Sequence, residues 1–248
     1  MKFFRLLSIF LVALPVAAQN HYYTTTFPAT ENPICQDNGS GCVWLNGKTN
    51  GVSWGDVQTT PGMTFATIVN GNPPYNDSTA VLKGTWTSNQ TVQATVKLVS
   101  NATDTSEQEE VELRLNTTIA PNNITGYELD FNVINGGAYV LIVRWNGPLN
   151  DFTALTNLSA IPVHNGDVLM GTNVNGVISM YINGNKVLSV TDKTFTGGSP
   201  GIGFWNLGGT GADLANYGFS KFTAWDSAYS GQQPTAPTNL SGTVVQKP

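Results

Sequence analysis

The sequence predicts an all-β fold, a sandwich or barrel of short antiparallel strands. Short apolar or alternating runs recur from Val52 to Trp225, with Gly, Asn, Asp and Pro between them. No ten-residue window carries the apolar stripe of a helix. The stretch from Asn165 to Asn206 holds the sharpest hairpin signal. Ile178, Met180 and Ile182 alternate with Ser179, Tyr181 and Asn183, the period of a half-buried strand. Asn183-Gly184 supplies the two positive-φ residues of a tight turn, and Lys186-Val187-Leu188 begins the return.

In chain order, Lys2 and Arg5, the apolar run Leu6–Val16 and the small pair Ala17-Ala18 predict a secretory signal peptide over 1–18. The run is too short to span a bilayer. Residues 19–51 are rich in Thr, Asn, Pro and Gly without a clear period, and predict an irregular N-terminal arm. The main domain is expected over 52–228. Its predicted strands are Met63–Val69, Thr79–Trp86, Thr91–Val99, Glu109–Asn116, Gly126–Val133, Ala138–Trp145, Asp167–Asn173, Val177–Asn183, Lys186–Thr191, Gly201–Trp205 and Phe219–Trp225. Residues 229–248 form a polar, Pro-containing linker and tail, of which Thr238–Val245 resembles the first strand of a fibronectin type III domain.

Without Lys2 and Arg5 the balance is 9 basic against 16 acidic residues, a net charge of −7. That argues against nucleic acid and anionic membranes as partners, and against strongly polyanionic sugars. Charged residues are 11% of the chain, well below the usual ~25%. Cys35 and Cys42 are the only cysteines, and in an exported chain they predict a disulfide across a small loop. His21 and His164 lie too far apart to suggest a metal cluster.

The segment Tyr181–Leu188, an Asp at 192 and the Gly-rich run Gly197–Asn206 resemble the concanavalin A-like lectin/glucanase superfamily. The laminin-G-like and bacterial sugar-binding members are the nearest in pattern, and the likeness extends more faintly from Ser53 to Asp226. It implies a two-sheet antiparallel jelly-roll sandwich with a sugar site on one concave outer face. It also implies a structural calcium on the convex side, with Asp226 as a carboxylate ligand. The superfamily includes lectins, binding modules, glycoside hydrolases and polysaccharide lyases, so function has to be argued from the site.

In Glu110–Leu115, Val111, Leu113 and Leu115 alternate toward the core, which puts Glu112 and Arg114 on the opposite face. Two readings are open: cross-strand ion pairing on a solvated face, or hydrogen bonding to sugar hydroxyls. Glu128 and Asp130 match the first two positions of a laminarinase-type catalytic strand, but Asn132 stands where the third carboxylate belongs. A lyase would need a Gln-x-His strand, and none of the predicted strands carries that triplet. Six tryptophans favour sugar stacking. The expected function is a secreted, non-catalytic carbohydrate-binding module, extracellular or at the cell surface, with Glu112, Arg114, Arg144, Trp145, Trp205 and Asn206 as ligand-binding residues. The alternatives are a glycan-degrading enzyme of the same fold and a structural or adhesive module. Two carboxylates, or a Tyr–His pair, converging in one groove would favour the enzyme.

Overall fold

The computed structural model describes residues 21–68, 77–99, 108–134, 137–207 and 214–229. The predicted signal peptide and most of the tail lie outside these residues. The described chain holds fifteen strands and one short 3₁₀ turn, Lys48–Asn50. The strands are β1 (Tyr22–Thr25), β2 (Trp44–Asn46), β3 (Val57–Thr60), β4 (Met63–Ala66), β5 (Ser78–Leu82), β6 (Gln90–Leu98), β7 (Gln108–Ala120) and β8 (Asn123–Asn132). They continue as β9 (Val140–Pro148), β10 (Phe152–Ala154), β11 (Val168–Val174), β12 (Val177–Ile182), β13 (Asn185–Thr191), β14 (Ser199–Leu207) and β15 (Tyr217–Asp226).

They form a jelly roll of two antiparallel sheets. One sheet runs β13-β12-β11-β6-β15-β4-β3, with β1 also pairing β15. The other runs β10-β9-β8-β7-β14-β5-β2. The core lies between their inner faces. Leu113, Leu115, Tyr127 and Leu129 of the second sheet and Val92, Leu169, Ile178 and Met180 of the first belong to one buried cluster. Gly171 marks a close approach of the two sheets, since a Cβ there would lie 2.6 Å from Leu129 Cδ2. The predicted hairpin stands at β12–β13, with Asn183 at φ 50° and Gly184 at φ 80°.

Each predicted strand has a counterpart, and four strands went unpredicted: β1, β2, β3 and β10. The irregular arm expected over 19–51 is corrected here. Tyr22-Tyr23-Thr24-Thr25 adds a strand beside β15, and Trp44-Leu45-Asn46 adds one beside β5, so the arm joins both sheets. Aromatic and β-branched residues suit those positions, but their partners lie far along the chain, where periodicity gives no sign of them. Cys35 and Cys42 are bonded.

Ile178→Ala, at a fully buried position, should cost about 2–5 kcal/mol in chemical denaturation. The Cys35→Ser/Cys42→Ser pair should cost roughly 2 kcal/mol, because the closed loop is short, and lower Tm by roughly 5 °C in a thermal melt.

Candidate functional site

The tight connection through Pro121 and Asn122, the latter at φ 52°, pairs Ala120 with Asn123 and brings β8 back along β7. A β-bulge then sets two residues of β7, Asn116 and Thr117, against Gly126 of β8. Beyond it the register places Arg114 opposite Glu128, Glu112 opposite Asp130, and Glu110 opposite Asn132. Because Leu113, Leu115, Leu129 and Phe131 face the core, the five charged side chains share the outer face.

These side chains are buried on that face. Arg114 is fully buried and forms ion pairs with Glu112 and Glu128, with Asp77 at 3.8 Å. Gly201 and Gly203 of β14 lie opposite Arg114 and Glu112. A Cβ on Gly203 would collide with the Glu112 carboxylate and the Arg114 guanidinium. The Trp54 ring lies 5.3 Å from the guanidinium and packs edge-on against Trp145 at 4.8 Å. The Trp145 indole N–H donates to Glu128 Oε2 at 2.7 Å, and the Tyr139 hydroxyl donates to Glu110. Above this floor opens a cavity of about 760 Å³, walled by Tyr139, Leu141, Trp145, Phe152, Leu158 and Trp205.

The electrostatics follow from burial and crowding. Burial pushes Glu110, Glu112 and Asp130 well above the ordinary carboxylate range. Neighbouring carboxylates add to this in each case, and at Glu110 and Glu112 Arg114 opposes it. Asp77 is pushed up to about 8 by burial and by Glu128, again against Arg114. Burial works against the charge of Arg114, but Glu112, Glu128 and Asp77 outweigh it and raise its pKa. A guanidinium among carboxylates therefore keeps its charge, while burial and crowding favour the protonated form of the acids around it.

Of the expected binding residues, the structure brings Glu112, Arg114, Trp145 and Trp205 together at one groove. It corrects the other two. Arg144 lies on the opposite face of β9 from Trp145 and donates to Asn146 Oδ1 at 2.8 Å and Asp192 Oδ2 at 2.6 Å. Asn206 is buried on the opposite face of β14 from Trp205, beside Tyr217. Asp226 does not fit a calcium ligand. Its Oδ2 accepts from the Thr87 N–H and pairs with His21 Nδ1, both at 2.7 Å, and its Oδ1 accepts from the Ala228 N–H at 3.0 Å. Neither His21 nor His164 lines the cavity. Strand-by-strand reading missed Glu110, Asp77, Trp54 and Tyr139. The pairing of two acidic strands through a short turn was the available signal for Glu110. Asp77 and Trp54 come from connections and gave none.

No protein-family model matches the chain, and no curated protein matches it in sequence. Solved structures do. The VIP36 exoplasmic/lumenal domain, in its form bound to Ca2+ and Man2, superposes at TM-score 0.52 with 8% identity, over 86% of this chain and 92% of that one. The metal-free Emp46p carbohydrate recognition domain superposes at 0.51 with 11% identity, over 82% and 98%. Carbohydrate-binding module CBM66 from Bacillus subtilis reaches 0.49 with 12% identity, over 74% and 91%, too low a score to carry argument. The fold is the concanavalin A-like jelly roll, and at these identities the likeness speaks of fold alone.

Exposure on a solvated strand face would let Arg114→Ala leave folding intact. Full burial reverses that expectation. The variant strands several carboxylates without their cation and should lose about 3–5 kcal/mol of stability in urea titration.

Proposed function

We propose that this chain is a secreted protein that binds a carbohydrate in the groove on the outer face of the seven-stranded sheet. The observation that carries the reading is the groove itself, in which aromatic rings stand over a polar floor. Trp145, Trp205 and Tyr139 offer faces on which the C–H surface of a sugar ring can stack. Glu110, Glu128 and Asp130 offer acceptors for hydroxyl groups. Acidic residues outnumber the lone Arg114 there, which favours neutral glycans over uronic or sulfated ones. The signal-peptide pattern and the disulfide support export. VIP36 and Emp46p add a fold-level precedent only.

A second reading, glycosidic-bond hydrolysis, is favoured by the convergence of carboxylates in one groove. Asn132 has no acid group, but Glu110 stands opposite it on β7. Glu110, raised by burial, is suited to protonate the glycosidic oxygen. Glu128, held by Arg114 and the Trp145 indole, would be the carboxylate that attacks the anomeric carbon. Water then releases the sugar and restores both groups. Whether the acids meet a bound glycosidic bond decides between the two readings.

A glycan array followed by calorimetric titration should find a neutral oligosaccharide ligand. Trp205→Ala, at a half-buried wall position, should weaken it about 5- to 10-fold, or roughly 1–1.4 kcal/mol. Binding to no neutral glycan would sink the reading. If the groove also hydrolyses, reducing ends should accumulate with the same glycan, and Glu128→Gln should slow their release at least ~10²-fold. A glycan that is bound but never cut leaves the binding reading alone.

A further inference from the structure

We infer that the groove takes a neutral glycoside with an apolar aglycone, the sugar over the polar floor and the aglycone against a wall built by β9 and β10. The inference rests on the glycan reading above and names the class of glycoside. Two unlike surfaces line the one cavity. Glu110, Glu128 and Asp130 belong to the first, with Trp205 paired opposite Glu110. Leu141, Val143, Phe152, Ala154 and Leu158 belong to the second. Strand register builds that second surface. Val140 and Ile142 face the core, so Leu141 and Val143 face outward. β10 then sets Phe152 opposite Trp145 and Ala154 opposite Val143. The Phe152 and Trp145 rings lie 5.3 Å apart, which joins the wall to the aromatic side of the groove.

The wall leaves two large hydrophobic side chains in solvent, Phe152 at 44% exposure and Leu158 at 62%. Exposed apolar groups that gather at a cavity mark a binding surface. Most of this wall is not a platform for sugar. A sugar ring stacks on a flat aromatic face. Leu141, Val143, Ala154 and Leu158 have neither a flat face nor a polar atom. A hydroxyl held against them loses its water and gains no partner. A hydrocarbon loses nothing there and gains from its own burial.

The floor decides the other end of the ligand. Asp130 stands opposite Leu141 and Glu128 opposite Val143, so polar groups begin where the aliphatic wall ends. No lysine lines the cavity, and crowded carboxylates disfavour an anionic head such as a fatty acid or an alkyl sulfate. A neutral head rich in hydroxyls brings donors to the same oxygens. A cavity of about 760 Å³ also matches a small ligand, for which pockets of roughly 300–1,000 Å³ are usual, better than the flat face of a protein partner.

The test titrates the mature chain calorimetrically with the octyl and methyl β-glycosides of glucose, galactose and mannose, each octyl form below its micelle concentration. For at least one sugar the octyl form should bind at least ~10-fold tighter than the methyl form, the equivalent of roughly two buried methylene groups. Octyl sulfate and 1-octanol should bind at least ~10-fold more weakly than that octyl glycoside. Phe152→Ser and Leu158→Ser, both at exposed positions, should each cut the octyl-to-methyl preference at least ~3-fold. Circular dichroism checks that the variants fold. Octyl forms that bind no tighter than methyl forms in the wild type would overturn the inference, and the oligosaccharides of the array would still test the glycan reading separately. A preference unchanged in both folded variants would overturn it. So would 1-octanol or octyl sulfate that binds as tightly as the glycoside, since the wall would then ignore the sugar. A wild-type dimer in sedimentation velocity that Leu158→Ser dissociates would overturn it as well, because a second copy would then cover the wall.

Discussion

Arg114 is fully buried, and the outer face of the seven-stranded sheet is arranged to make that tolerable. Taking a guanidinium out of water costs several kcal/mol unless its donors meet acceptors. Glu112 on its own strand, Glu128 across the ladder and Asp77 from the connection before β5 meet that need. Gly203 on β14 leaves room for the side chain, and the Trp54 ring closes over it. The neutralisation is uneven. Five carboxylates, Asp77, Glu110, Glu112, Glu128 and Asp130, gather around one permanent cation. The surplus of acid is what gives the groove its chemistry.

The bulge in β7 decides which residues see that groove. In an unbroken strand Leu115 and Ile119 would share a face, four residues apart. With Asn116 and Thr117 both set against Gly126, the alternation slips by one. Leu115 stays in the core, while Ile119 packs with Ile124, Val143, Trp54 and Trp145 on the outside. That outer apolar cluster seats the Trp145 ring whose indole reaches Glu128. Asn116 can occupy the bulge because its own groups are committed. Its N–H donates to Gln90 Oε1 at 2.8 Å and its side-chain amide donates to Ser88 O at 3.1 Å. The same commitment buries Asn116 and Thr117 of an Asn-Thr-Thr triplet that would otherwise read as a glycan acceptor.

The sandwich was legible because its signals are local. Asn183-Gly184 and the alternation around it predict a hairpin from a dozen residues, and the core parity of β7 and β8 follows from alternation alone. The groove was only half legible, because its members meet through register and through connections. The placing of Arg144 and Asn206 was open to correction from the sequence itself. Arg144 adjoins Trp145 and Asn206 adjoins Trp205. Successive strand residues point to opposite faces, so neither pair could share one groove. The strands β1 and β2 could not be read locally, since β1 pairs with a strand about two hundred residues further on.

Burying so many acids is not a way to gain stability, since apolar residues of similar volume usually serve as well or better. The structure shows where it does otherwise. Between the sheets the packing is apolar, with Leu113, Leu129, Ile178 and Phe219 fully buried. On the opposite face of β7 and β8, charge is concentrated in a chain that has little of it. A side chain that raises the cost of folding is kept for something other than folding. Strands β7 and β8 therefore carry two tasks on their two faces: the odd-numbered residues from Val111 to Leu115 hold the sandwich shut, and the even-numbered ones from Glu110 to Arg114 set the charge of the groove. This separation lets the site change its chemistry by single substitutions without altering the hydrophobic surface on which the fold rests.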